Sequence, residues 1–350
     1  MVPRNKIGVD IKTSRTSLES YKRIEPGDFV IHLRSFQGGF AYSGIEGIVS
    51  PAYTVFSFKA PENFNDNFWK EKFTSYNFIQ SLKKVTYGVR DGRSISYSDF
   101  LTLNQKFPLK SEQDEIGKLL SKLDETITLL QRKLSIYSSL KNALLKTLYP
   151  YPINSEFNPV IHFEGYTTKK WKTQKLCEIF NERSKKNPNG ALLSVSISNG
   201  VYPFNDKERK NNSTKDKSNY KQVEINDIAY NSMRMWQGAL GVSSYQGIVS
   251  PAYTVIYTKN KDNPKYYFYY FKKDDTLFEF QRNSQGITSD TWNLKFPLFK
   301  NISISVSDST EEKNNIAFTF EIIDNNINKI KEKISNLNQF KQFLLQNMFI

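Results

Sequence analysis

Cysteine occurs once in the 350 residues, at Cys177, and histidine only twice, at His32 and His162. A lone thiol excludes an intrachain disulfide and suits a reducing compartment. One thiol and two imidazoles also exclude a Cys/His zinc site built within one chain. No apolar run approaches the roughly 18 residues a membrane span needs. The polar start, Met1-Val2-Pro3-Arg4-Asn5-Lys6, is unlike a signal peptide. The expectation is a soluble, cytoplasmic protein with no membrane partner. Apolar residues are only 38%, but 26 Phe, 20 Tyr and 4 Trp supply core material, so disorder is not expected.

Catalytic signatures are scarce as well. No Asn/Asp-Pro-Pro-aromatic tetrapeptide of an amino-methyltransferase is present; Asn187-Pro188-Asn189-Gly190 lacks the second proline and the aromatic. There is no Gly-rich phosphate loop, since Gly117-Lys118 is followed by Leu119. Glu311-Glu312-Lys313 matches part of a nuclease Glu-x-Lys pattern. It opens a helix, however, where carboxylates suit the dipole, and reads as capping. Neither histidine has a counterpart in the repeat described below. No catalytic residue and no metal ligand is therefore assigned.

What is present is basic charge and a repeat. The formal net charge is +14, which favours a polyanionic partner or an anionic membrane surface. Gly47-Ile48-Val49-Ser50-Pro51-Ala52-Tyr53-Thr54-Val55 recurs unchanged as residues 247–255, an offset of 200. Arg34, Gln37 and Gly38 recur as Arg234, Gln237 and Gly238, and Phe36 is answered by Trp236. Ile24-Glu25 and Asp28 match Val223-Glu224 and Asp227 one residue out of step, and Gly88 matches Gly286. The first copy has no counterpart of about Trp171–Ser198, because Met1 falls near position 200 of the second.

Each copy ends in a helical pattern. Ile116, Leu120, Leu123, Ile127, Leu130 and Leu134 step by threes and fours, echoed by Ile316, Phe320, Ile323, Ile327, Ile330 and Ile334. Such a stripe, over five turns or more, is the mark of helices that pair along a seam. Lys141 and Lys341 are the polar positions in it. Helix starts are expected at Ser111-Glu112 and at Ser309-Thr310-Glu311, and Pro150 and Pro152 stop the first. Short β-like runs (48–58, 248–257, 302–306) mix with helical stretches such as 64–82. The expected fold is α/β (α+β), with two globules, 1–108 and 151–308, joined by long antiparallel coiled-coil helices, 109–150 and 309–350. The pairing predicts Leu120 near Leu344 and a pseudo-twofold repeat.

Charge sits on the globules. Residues 1–108 hold 15 basic and 10 acidic groups, and residues 151–308 hold 22 and 15; the helical segments hold 7 and 5, then 5 and 5. The globules are the parts suited to phosphate. Arg34 with Gln37, and Arg234 with Gln237 beside Trp236, have the chemistry to read guanine and adenine edges. Holding a loop together in both copies explains the same residues equally well. Lys207, Arg209, Lys210, Lys215, Lys217 and Lys221 lie in an Asn/Ser-rich stretch read as a phosphate-contacting loop. The aromatic run Tyr266–Phe271 reads as a packed helix face rather than a base-stacking platform, like Phe68, Trp69 and Phe73. The repeated nonapeptide reads as framework.

Together these residues resemble the specificity subunit of bacterial Type I restriction–modification systems. The resemblance covers nearly the whole chain. It rests on the nonapeptide in both copies and on the helix pattern Glu112-Gln113, Leu123-Asp124, Ile127, Lys141, Leu144-Leu145. That pattern is echoed by Glu311-Glu312, Ile323-Asp324, Ile327, Lys341, Leu344-Leu345, and Trp171, Leu176 and Phe180 resemble the opening of a recognition domain. The resemblance implies a non-catalytic subunit that reads a split target in double-stranded DNA. It would recruit methyltransferase and restriction subunits, which would own the S-adenosylmethionine, ATP and Mg chemistry. Two other readings stay open: a nuclease or methyltransferase of unfamiliar motif, and a coiled-coil scaffold without a restriction role.

Overall fold

A computed structural model describes residues 1, 18–88, 94–151, 158–165, 171–204, 216–260 and 262–349. The chain divides into two compact units, Met1–Leu134 with Lys329–Ile350, and Ser135–Asn328. Both mix helix and sheet, and no described helix is long and apolar enough to cross a membrane.

The first unit opens with β1 (Lys22–Ile24), β2 (Phe29–Ile31), the short helix α1 (Ser35–Gly38), β3 (Ala41–Tyr42), β4 (Gly47–Val49) and β5 (Thr54–Phe56). Helices α2 (Asp66–Lys72) and α3 (Tyr76–Leu82), the hairpin β6 (Thr86–Tyr87) and β7 (Ser94–Ile95), and α4 (Tyr97–Phe100) follow. The long α5 (Lys110–Thr147) then begins. β1 pairs with β4, and β3-β2-β5 form an antiparallel sheet. Where the sequence pattern predicts one helical stretch over 64–82, the chain breaks it at Phe73–Ser75. The Ser75 side chain accepts from Phe78 N and starts a new helix.

Phenylalanines fill the core of this unit: Phe29, Phe40, Phe68, Phe73 and Phe78 are buried with Trp69 against Ile116 and Leu120 of α5. Gln113, also buried, receives the Trp69 indole N–H at 3.0 Å and donates to the Pro108 carbonyl at 2.9 Å, tying the globule to its helix. Residues from the end of the chain complete the same core. Leu344, Leu345, Met348 and Phe349 pack there, the last with its ring 5.2 Å from Phe68. Lys341 bonds Asp124 at 2.7 Å and pairs with Glu71 at 3.1 Å. Residue 341 beside 124, and 349 near 116, means antiparallel packing within this unit, with Leu120 and Leu344 in one cluster as the seam predicts.

The second unit holds β8 (Trp171–Lys175), α6 (Leu176–Ile179), β9 (Phe180–Glu182), β10 (Leu193–Ser196), β11 (Gly200–Pro203), β12 (Lys221–Val223) and β13 (Ile228–Asn231). Beyond these come β14 (Leu240–Val242), β15 (Gly247–Val249), β16 (Tyr253–Thr258), α7 (Pro264–Tyr270), α8 (Asp274–Arg282), α9 (Phe296–Phe299), β17 (Ser303–Ser307) and the long α10 (Thr310–Met348). The main sheet runs β14-β13-β16-β9, all antiparallel, with β10-β11, β12-β15 and β8-β17 as separate pairs. Tyr266, Tyr267, Tyr269, Tyr270 and Phe271 are buried, so the aromatic run is a packed helix face. Here Lys141 reaches Asp324 at 2.5 Å and Tyr269 donates to the same carboxylate at 2.9 Å, the counterpart of Lys341 on Asp124.

The sequence repeat is a structural repeat. The Asp28 and Asp227 carboxylates accept from Glu25 N and Glu224 N at 2.7 and 2.8 Å, and both backbone carbonyls accept from Ser43 N and Ser243 N at 2.8 Å. The turn between them needs a left-handed residue, filled by Gly27 (φ +101°) in one copy and Asn226 (φ +71°) in the other. The expected single strands over 48–58 and 248–257 are each two strands. Pro51 and Pro251 sit in a turn that the Tyr53 and Tyr253 amides close onto the Ser50 and Ser250 carbonyls.

Two expected helix starts come out differently. Ser309 Oγ accepts from Glu312 N at 3.2 Å and caps α10, whereas Ser111 lies inside α5, which already begins at Lys110.

Candidate nucleic-acid interface

The loop after β2 is built by short side chains. Ser35 Oγ accepts from His32 N at 2.8 Å, and His32 Nδ1 accepts from Arg34 N at 3.2 Å. Burial lowers the His32 pKa. Gly39 ends α1 at φ +78°, where a Cβ would stand 2.0 Å from the Phe73 carbonyl oxygen. The result leaves Arg34 and Gln37 exposed and Phe36 half-buried. Phe36 and Gln37 border an open concavity of about 570 Å³ with Ile79, Gln80, Lys83, Thr86 and Gly88. Gln80 and Lys83 were not singled out by sequence. Only Gly88, matched to Gly286, signalled that a special backbone position lies there, and both glycines have positive φ.

In the second unit the equivalent turn, Met235–Gln237, closes on Gly238 at φ +80°. Arg234 Nη1 donates to Gln237 Oε1 at 3.0 Å, a side-chain bond that Arg34 and Gln37 do not make. This bond occupies the Gln237 carbonyl, leaves its amide N–H groups, and orients a guanidinium that remains exposed. Trp236 donates to the Met233 carbonyl at 3.2 Å and stands edge-on to Trp292, ring centroids 5.1 Å apart. Behind the turn, Lys272 donates to the Gly238 carbonyl, and burial brings its ammonium down to about 8. Loop-holding and presentation thus coexist in the same residues.

Lys217 is half-buried in the turn before β12, its carbonyl accepting from Tyr220 N at 2.9 Å. Lys221 pairs with Glu182 at 3.1 Å and is committed to the sheet. Lys207, Arg209, Lys210 and Lys215 lie outside the described residues.

Of the seam residues, Ile116, Ile127 and Ile330 are buried and Leu123, Leu130, Leu134 and Ile334 half-buried in the first unit; Ile316, Ile323 and Ile327 are buried in the second. Another set of apolar helix positions stays exposed: Leu119, Leu129, Phe340 and Phe343 in the first unit, and Ile136, Leu140, Phe318 and Ile322 in the second.

Glu311-Glu312-Lys313 is more than a cap. Glu312 is buried and accepts from Ser307 Oγ, His162 Nδ1 lies 3.6 Å from its other oxygen, and Lys313 bonds Asp262 at 2.8 Å. The Ser307 hydroxyl donates its hydrogen bond to the carboxylate, so these residues form a buried polar cluster at the start of α10.

Residues 168–339 match the family model of the Type I restriction modification DNA specificity domain. No curated protein matches the chain. The fold is similar to that of the Type I restriction–modification S subunit from M. genitalium, with a TM-score of 0.61 at 14% identity, covering 94% of this chain and 84% of that one. The HsdS subunit from Thermoanaerobacter tengcongensis is matched over 94% of this chain and 82% of its own at 14% identity, with a TM-score of 0.48.

Proposed function

We infer that the chain belongs to the Type I restriction–modification specificity family, from the match of residues 168–339 to its DNA specificity domain. On that premise we propose that it is the DNA sequence-reading subunit of such a system, without a catalytic site of its own. The domain match carries the reading. The exposed Arg34, Gln37 and Arg234, with Gln237 half-buried beside the last, support it, on globules that hold most of the net positive charge. Arg234 reaches a guanine edge in the major groove, with Gln237 orienting it, while Lys217 and the neighbouring Lys207, Arg209, Lys210 and Lys215 contact phosphate. In the first copy Arg34 and Gln37, which do not bond each other, meet base edges separately, beside Lys83.

The two globules are held by long helices paired antiparallel, each about 57 Å long at 1.5 Å per residue. They act as the ruler between two unlike half-sites in double-stranded DNA. Supporting this are the matched Lys141–Asp324 and Lys341–Asp124 pairs and the seam in each unit. The exposed apolar helix positions receive methyltransferase subunits, and restriction subunits join that complex. S-adenosylmethionine, ATP and Mg belong to those partners.

Binding of double-stranded DNA by the chain with its methyltransferase partner tests the reading. Affinity should fall steeply between about 50 and 200 mM salt, as counterion release requires. Salt-independent binding, or none, would overturn it.

A further inference from the structure

Between α8 and α9 the second unit turns through a hairpin with no counterpart in the reading so far. Gln285 and Asn293 exchange backbone bonds at 3.1 and 2.7 Å and form its base. The tip is closed on itself. Thr291 N and Trp292 N both donate to the Thr288 carbonyl, at 2.9 and 3.1 Å, and Thr291 Oγ1 accepts from Thr288 N at 3.1 Å. Gly286, at φ +142°, lets the backbone pass so close that a Cβ there would stand 2.6 Å from the Thr291 carbonyl. A tip bonded in this way has a set shape, and its apolar residue takes no part in packing: Ile287 is 99% exposed.

This hairpin is fixed beside the Arg234–Gln237 turn at two points. Leu294 N donates to the Ser232 carbonyl at 2.8 Å, two residues before Arg234, and Trp292 stands edge-on to Trp236 of the turn. The first unit repeats the juxtaposition by its own means. There Phe36 and Gln37 share their concavity with Thr86 and Gly88, where the β6–β7 hairpin opens; its tip, 89–93, lies outside the described residues.

A single exposed apolar side chain needs no explanation by itself. Ile287, however, stands on a self-bonded tip tied to the turn that presents Arg234. Residues 287–291 are Ile-Thr-Ser-Asp-Thr, with no cation among them. Such a tip is not suited to phosphate. Its alkyl group and hydroxyls suit base edges, and among these thymine alone carries a methyl group.

We propose that the 285–293 hairpin is a second base-reading element of this unit, with Ile287 as a specificity-determining residue that meets a thymine methyl in the major groove, next to the base addressed by Arg234. The inference deepens the DNA-reading role proposed above and rests on it.

Methylome sequencing of cells carrying the chain and its methyltransferase gives the motif; the same cells with Ile287→Ala or Arg234→Ala give the comparison. Each substitution should relax a different base pair in the same half of the motif, an A·T pair for Ile287→Ala. The melting temperature of Ile287→Ala should be unchanged, since the side chain packs on nothing. In a duplex of that motif, deoxyuridine in place of the thymine removes only the methyl group. It should weaken binding by the unsubstituted chain with its methyltransferase about fourfold, as one methyl group's transfer from water implies, and leave binding by Ile287→Ala unaltered. A motif changed by Arg234→Ala and untouched by Ile287→Ala would sink the hairpin and spare the turn. Indifference to both substitutions would sink the base reading itself. Uniformly weaker binding with an intact motif, or equal sensitivity of both proteins to deoxyuridine, would overturn the methyl contact.

Discussion

Nine residues identical in sequence occupy two different environments in this molecule. In the second unit Ile248 is fully buried, with Gly190 against its side chain and its amide bonded to Ala191 O; in the first, Ile48 is more than half exposed. The strand pairing is the same in both, Ile24 opposite Gly47 and Val223 opposite Gly247. Local sequence therefore sets the ladder and the turn at Pro51 and Pro251, while burial is decided by residues some 60 positions away. Framework describes the second copy of the nonapeptide fully and the first only in part.

The largest expected difference between the units is in alkali. Burial raises the pKa of Tyr149, Tyr230, Tyr266, Tyr267, Tyr269 and Tyr270 in the second unit; in the first, among the described residues, only Tyr42 is raised, to about 12, by burial and by Asp66. A phenol whose folded pKa lies above its unfolded value stabilises the fold fully below about pH 10 and loses that contribution as pH rises towards the folded value. Each costs up to about 1.4 kcal/mol per pH unit over that window. Unfolding monitored by tyrosinate absorbance between pH 9 and 12 should show the second unit melting first and steeply. Coincident melting of the two units would break the comparison.

Substitution within the nonapeptide comes next. Ile248→Ala should cost about 2–5 kcal/mol, as buried isoleucines do, and Ile48→Ala below about 1 kcal/mol. Denaturant titration of both variants measures the ratio. Equal costs would mean the first copy is covered in solution.

Asp227→Ala leaves the Arg183 guanidinium, three-quarters buried, without its partner and should destabilise by about 3 kcal/mol. Asp28→Ala loses one bond from Glu25 N and should cost about 1 kcal/mol. Thermal unfolding of the pair checks the order.

The smallest effect concerns reading. Arg234→Ala should cost about 1–3 kcal/mol of DNA binding and relax one base position, with little change in melting temperature. A drop in melting temperature with unchanged specificity would assign the Arg234–Gln237 bond to loop structure alone.

Much of this was legible in the sequence. The 200-residue offset, the seams and the burial of Tyr266–Phe271 follow from identity and period. The antiparallel register was legible in the seam, but the role of Lys141 and Lys341 was not. Each is a polar break until the packing brings Asp324 and Asp124 opposite, and that depends on register. The break at Phe73–Ser75 was hidden because the apolar period continues through it while Ser75 caps a new helix. The Arg234–Gln237 bond, absent between Arg34 and Gln37, depends on side-chain rotamers that an identical residue pair does not encode.

Methylome sequencing of cells carrying the chain with its methyltransferase, beside cells with Arg34, Gln37, Arg234 and Gln237 all replaced by Ala, tests the central claim most directly. The account predicts a two-part methylated motif that requires the chain and is lost or relaxed at defined positions in the variant. A motif that persists unchanged in the variant, or when the chain is deleted, would contradict it.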